Sequence, residues 1–275
     1  MESRTGNIMR LTGAISPLLT IAAIFMGLAA TAATPGPTVV YTTKIVERHG
    51  PQCSRGLSDC PVYIRFRYPV IVRAANPAVA RAITGAINDF LLTGVGESRK
   101  FSSVEAEMDE FMRSYEEFRK VSPGIGYSED RNVRVLYQAN GIFSLDFDLG
   151  WFFGTAHPDG TRTFANFDER TGRQIRLADV LAVGFQPRLT HIAEKHFRES
   201  KGLKPTDSLR EAGYEFPNDA FALNDNFSIG AKGITFLYNT YEIASYADGP
   251  TELFLTYHEI KDLLKPGGLL GSLRE

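Results

Sequence analysis

Cysteine is almost absent from this chain: two residues, Cys53 and Cys60, among 275. Their C-x6-C spacing matches neither the redox pattern C-x-x-C nor a zinc half-site, so a metal cage and dithiol chemistry are both set aside. A charge imbalance is missing as well. The 30 Lys and Arg residues nearly match 32 Asp and Glu, for a net charge of −2. With those charges scattered, there is no electrostatic footprint for a phosphate backbone, and nucleic acid is not an expected partner. No G-x-S-x-G nucleophile elbow occurs. The glycine pairs Gly124/Gly126 and Gly230/Gly233 lack the spacing and the Lys-Ser/Thr ending of a phosphate loop, so both read as turns. No motif calls for a cofactor or a metal.

What is present is the composition of a packed globule, with 43% hydrophobic residues, 19 Phe and 11 Tyr. Arg4 and Arg10 precede an apolar run from Leu18 to Ala30, and small residues follow through Ala33. That layout predicts a signal peptide over residues 1–33, cut after Ala32 or Ala33, and a periplasmic or secreted protein with no membrane attachment after cleavage. The alternative is a retained anchor from Leu11 to Ala33, which just reaches the ~20 residues of a spanning helix but is interrupted by Pro17. In an exported chain Cys53 and Cys60 read as a disulfide, and closing so short a loop stabilises the fold by about 2.5 kcal/mol.

Strands rich in Val, Ile, Tyr and Thr are predicted over Thr38–Glu47 and Val62–Val72, on either side of the disulfide loop. Asn76-Pro77 is a helix start, and Val79, Ile83, Ile87, Phe90 and Leu91 then recur at helical spacing. A second helix opens at Ser102, with Glu105 completing a capping box and a stripe of Val104, Met108, Phe111, Tyr115 and Phe118. Its acidic residues, Glu107 among them, read mainly as a solvated face. Asn140-Gly141 predicts a type I′ hairpin, with Val133, Val135 and Tyr137 sharing one face. On the outgoing strand Ser144, Asp146 and Asp148 alternate with apolar residues and read as the solvent side of a half-buried sheet. A helix is expected over Gln186–Ser200. Its His191 and His196, about 140° apart around the axis, are not expected to share a metal.

Two blocks carry a family resemblance. The first holds Gly154, Ala156, His157 and Pro158, then Asn166, Phe167, Asp168, Thr171, Gly172, Ile175, Leu177 and Asp179. The second runs from Phe227 to Leu264 and contains Tyr241-Glu-Ile-Ala-Ser-Tyr246-Ala-Asp-Gly249. In this order they resemble the extracytoplasmic domain of unknown function shared by the anti-sigma factor RsiV, which binds lysozyme, and PdaC-type peptidoglycan deacetylases. The region Val40–Leu149 resembles that family's N-terminal companion domain. Thr155 stands where the family has a second glycine. The resemblance implies a closing strand, loop, strand and terminal helix, and a lysozyme-like protein or peptidoglycan fragment as partner.

The expected fold is α+β: two consecutive lobes, residues 38–125 and 126–275, each an antiparallel sheet with helices on one face and the first stapled by the disulfide. Candidate binding residues are Trp151, His157, Asp159, Tyr241 and Tyr246, whose rings suit sugars or a protein partner if exposed. Burial in the core is the default for Trp151, Phe153 and Tyr241. His157 reads first as a ring that bonds nearby backbone and fixes its loop, next as a ligand contact, and last as a base. Three functions follow: a non-enzymatic envelope binding or sensor module, a wall hydrolase using Asp146, Asp148, Asp168 and His157, or a structural accessory domain of an envelope assembly.

Overall fold

The computed structural model describes residues 38–51, 53, 60–96 and 98–274. The expected signal segment, residues 1–33, lies outside them. Among the described residues no helix is long and apolar enough to cross a membrane.

A five-stranded sheet in the order β1-β2-β3-β4-β5 is built from β1 (Val40–His49), β2 (Val62–Arg73), β3 (Tyr127–Ala139), β4 (Ile142–Phe152) and β5 (Asp159–Asp168). Strands β1 and β2 are antiparallel, and the Cys53–Cys60 disulfide closes the loop between them. Two helices, α1 (Pro77–Leu92) and α2 (Val104–Val121), separate β2 from β3. That crossover lets β3 run parallel to β2, as a connection of this length permits. The sheet is therefore mixed where an antiparallel one was expected. It also continues across the expected 125/126 boundary, because β2 pairs directly with β3.

Local chemistry accounts for most boundaries. The Asn76 side chain accepts from the Ala78 and Val79 amides, and proline follows at the first helical position. Ser103, one residue later than predicted, caps α2 through the Ala106 amide. Asn140 and Gly141 both take positive φ, 54° and 75°, in the β3–β4 turn. A bulge at Leu136 interrupts that hairpin, so Val135 lies opposite Leu145 and Tyr137 opposite Ser144. Val133 and Val135 face the helices while Tyr137 packs on the other side, which corrects the expectation that all three share a face.

The helices cover one face of this sheet around Ile64, Phe66, Ile83, Met108, Phe143 and Leu145. The opposite face carries a second core. It gathers β6 (Phe227–Ile229), β7 (Gly233–Tyr238) and β8 (Thr251–Thr256), which form an antiparallel three-stranded sheet, together with α3 (Leu177–Val180) and α4 (Gln186–Ser200). Consecutive residues Ile142 and Phe143 point into the two different cores. After β8 the chain makes turns over 257–263 where a terminal helix was expected. There Glu259 accepts from Thr256 and His196, which ties the turn to α4.

Because β6 lies against β4 and β5, the supposed solvent face is buried: Ser144 and Asp146 have no exposure and Asn166 has 2%. The joint is made by side chains that imitate peptide groups. The Asn166 amide donates to the Phe227 carbonyl at 2.9 Å and accepts from the Ile229 amide at 2.9 Å. At the free edge of β5, Asn226 accepts from the Phe164 amide and donates to the Arg162 carbonyl, each at 2.9 Å. Asn239 likewise accepts from the Arg162 amide at 2.7 Å and donates to its carbonyl at 3.0 Å. Edge groups left open by strand pairing are thus satisfied.

On the helix side, Arg131 is fully buried in the middle of β3. Its Nε donates to Glu129 at 2.6 Å, its Nη1 to the Phe90 carbonyl at 2.5 Å, and its Nη2 to Glu107 of α2. Glu107 therefore points inward, against the expectation of a solvated acidic face. Burial pushes its carboxyl up to about 8, with Arg131 pulling the other way and Glu129 adding to the rise.

Two outcomes follow. Asn166→Ala orphans the Phe227 carbonyl and the Ile229 amide and is expected to cost about 2–4 kcal/mol in urea unfolding. Between pH 4.5 and about 8 folded Glu107 keeps a proton that the unfolded chain has released, so its contribution to stability declines as pH climbs through that window. Denaturation midpoints of the parent should fall across it more steeply than those of Glu107→Gln; parallel pH profiles would refute that assignment.

Candidate functional site

The β4–β5 and β7–β8 loops meet at one end of the joint. In the first, Gly154 takes a φ of 73°, and a Cβ there would overlap the ring of Phe118. Only glycine lets the chain leave β4 so close to α2. Thr155 Oγ1 then donates to the His157 carbonyl at 2.8 Å. The hydroxyl closes the turn at the position where the resemblance calls for glycine.

His157 Nδ1 lies 2.9 Å from the Pro158 carbonyl, which can only accept, so Nδ1 carries the proton. Nε2 faces the Tyr241 hydroxyl at 3.4 Å. The Tyr246 ring stacks on the imidazole with centroids 3.8 Å apart, and its hydroxyl donates to the same Pro158 carbonyl at 2.9 Å. Tyr241 lies 5.7 Å from Tyr246, centroid to centroid. The imidazole thus fixes its own loop, as its first reading had it, and also docks the second loop.

Three of the five candidate binding residues, His157, Tyr241 and Tyr246, come together here. Tyr241 is 58% exposed and Tyr246 39% exposed, which reverses the default of burial for Tyr241. Tyr241 also holds a φ of 66°, in the left-handed region that costs a side-chain-bearing residue on the order of 1 kcal/mol or more. Asp159 and Tyr246 line an adjoining cleft of about 310 Å³, together with Asp148, Arg162, Asn239 and Pro250. Trp151 is half-buried on β4, opposite Glu129 and Asp159 in register, and is not among the lining residues. Phe153 stacks on Tyr127 with centroids 4.8 Å apart, on the α2 side.

Among the described residues none of the carboxylates proposed for hydrolysis hydrogen-bonds to His157, whose ring nitrogens meet Pro158 and Tyr241. Asp146 is fully buried between two guanidiniums: Arg134 Nε is 3.0 Å away, and Arg162 reaches it from 3.2 Å. Arg162 also pairs with Glu252 of β8 at 2.7 Å, so a chain of charges crosses from β3 to the second sheet. Asp148, 3.2 Å from Arg134, is raised above the ordinary carboxylate range by burial, with Arg134 opposing. Asp168 stands at the opposite end of β5, where it accepts from the Arg170 and Thr171 amides. Burial works to raise its carboxyl, but these bonds prevail and hold it low. Among the described residues no three His, Cys, Asp or Glu side chains are placed to hold a metal ion.

Sequence reasoning missed Arg162, Asn226 and Asn239, the residues that join β5 to the second sheet. Only their position against β5 distinguishes these asparagines from ordinary turn residues. Arg131 and Glu129 did leave a signal: both fall in phase with Val133 on the period-two pattern of β3, on its helix-facing side.

Residues 178–258, from α3 through β8, match a family described as a protein of unknown function, DUF3298. Two crystal structures extend the likeness to the whole fold. A member of that family from Bacteroides fragilis NCTC 9343 has 20% identity and a TM-score of 0.62, covering 85% of this chain and 98% of its own. A DUF3298 family protein from Pseudomonas aeruginosa PAO1 has 20% identity and a TM-score of 0.59, covering 83% and 95%. No curated protein matches the chain. The architecture is thus that of DUF3298 proteins across both sheets.

Replacing Arg162 by Met leaves buried Asp146 with Arg134 alone and Glu252 without its partner. The expected loss is about 2 kcal/mol by thermal or urea unfolding, reflecting charged hydrogen bonds removed from a buried acid.

Proposed function

We propose that this chain is an exported cell-envelope protein acting as a non-enzymatic binding or sensor module. Its ligand would meet the face formed by His157, Tyr241 and Tyr246 and the cleft beside them. The observation that carries this reading is Tyr241: an exposed aromatic ring held at positive φ beside a second exposed tyrosine. Neither feature adds to the core. Rings presented this way on a rigid loop suit stacking on a sugar or anchoring a protein partner. A strained backbone kept at a surface site is itself a motive for a functional hypothesis.

The chemistry of the neighbouring groups favours binding over turnover. Asp146 spends its carboxylate on two arginines, and Asp168 stands at the far end of its strand. A disulfide suits an exported protein. The resemblance in the two loop blocks points to a lysozyme-like protein or a peptidoglycan fragment as ligand.

Immobilised protein is expected to retain lysozyme or muropeptides from solution. Tyr241→Ala and Tyr246→Ala should each weaken retention by about tenfold or more, the loss typical of an aromatic anchor, with no change in the mass of the muropeptides recovered. Failure to retain either ligand would remove the reading, and cleaved muropeptides would replace it with the hydrolase.

A further inference from the structure

A second cleft, of about 130 Å³, opens between α2 and the start of β3, on the helix-covered face of the sheet. Its walls include Glu107, Glu110 and Glu129 and the rings of Phe111, Tyr127 and Phe153. Glu107 is 3% exposed, Glu129 is 4% exposed, and the Oε2 atom of Glu107 is buried with no hydrogen-bond partner.

The available cations are already engaged. Arg131 divides its donors among Glu107, Glu129 and the Phe90 carbonyl. Arg99 stands 3.6 Å from Glu110 and lies over the Phe101 ring, and Glu110 also pairs with Arg113. Two buried carboxylates therefore share one guanidinium. With both ionised, the cluster is one positive charge short, a deficit that is costly in a buried setting. Either Glu107 keeps a proton or a further cation enters. A metal ion lacks the necessary ligand set among the described residues. The cleft has room for more than one water-sized group, which suits a charged amine on a short alkyl stem, and aromatic walls favour an organic cation.

We propose that this cleft binds a primary ammonium group, as at the end of a lysine-type side chain, with Glu107 as the carboxylate that receives it. The site is separate from the tyrosine face and does not depend on the function proposed there. Glu129, Arg131, Tyr127, Glu110 and Arg99 are the titratable and charged groups around Glu107; burial raises Glu129 as well as Glu107, and Glu107, whose Oε2 has no partner, is the acid that loses its proton to the cation. Binding then releases that proton, and affinity rises with pH while the amine remains charged.

Calorimetry with the full chain tests this, using Nα-acetyl-lysine methylamide as probe and its Nε-acetylated counterpart as control. The probe should bind saturably, about tenfold more tightly at about pH 9 than at about pH 7, since a lysine amine of pKa ~10.4 is still charged there. Its heat should vary with the ionisation enthalpy of the buffer, and the control should not bind. Glu107→Gln, which keeps the shape of the protonated acid, should abolish binding. Ser114→Leu, which fills the cleft without altering its charges, should do the same and decides the matter if Glu107→Gln does not fold. Absence of saturable binding, equal binding of the acetylated control, or binding that survives Ser114→Leu would overturn the proposal and leave the cleft a water site.

Discussion

The buried polar seam along β4 and β5 is the constraint on which the rest of the molecule depends. Ser144, Asp146, Arg162 and Asn166 lie under the second sheet, where an unmatched amide or carboxylate would cost several kcal/mol. The structure answers with partners of the right shape. Asn166, Asn226 and Asn239 use their amides as peptide groups do, accepting with the oxygen and donating with the nitrogen. A hydrophobic joint would tolerate sliding, whereas paired amides fix one register. Fixing Asn239 against Arg162 also fixes the loop that follows it, so Tyr241 and Tyr246 meet His157. The candidate site is a consequence of the seam.

Two ionic clusters flank the first sheet, and their buried acids are partnered differently. On the seam side one carboxylate, Asp146, is held by two arginines. On the helix side one arginine, Arg131, is shared by two carboxylates. The first arrangement satisfies its acid fully and joins strands. The second leaves a carboxylate oxygen without a partner beside a cleft, and burial raises Glu107 accordingly. Buried charge is weak evidence for added stability. The contrast between the clusters instead separates a group with a structural part from one with chemistry to spare.

Much of the architecture was legible in the chain. The cap at Asn76, the Asn140-Gly141 turn, the helix over Gln186–Ser200 and the stripes of α1 and α2 rest on local rules of dihedral angle and periodicity. Those rules hold within a few residues and do not need the partner element. Legibility ended where burial depends on a distant segment. Ser144, Asp146 and Asp148 alternate with apolar residues in the manner of a solvent face, and nothing within β4 says that β6, about 80 residues later, covers them. The same limit hid Glu107, whose inward turn is explained only by Arg131 on β3, and the bulge at Leu136 that turns Tyr137 away from Val135.

Of the candidate site, the sequence determined the components: a His-Pro-Asp loop, two tyrosines in a second loop, and carboxylates on the strands that flank the first loop. It did so because glycine, proline and Asx turns and period-two strands are written in nearest neighbours. Only the tertiary structure decided which of these meet. It joined His157 to Tyr241 and Tyr246 across 84 and 89 positions, drew Asp146 into an arginine clasp and left Asp168 at the far end of β5. Contacts across such separations depend on how two sheets pack, and packing is set by the sum of many weak, non-directional terms whose partners no local pattern names.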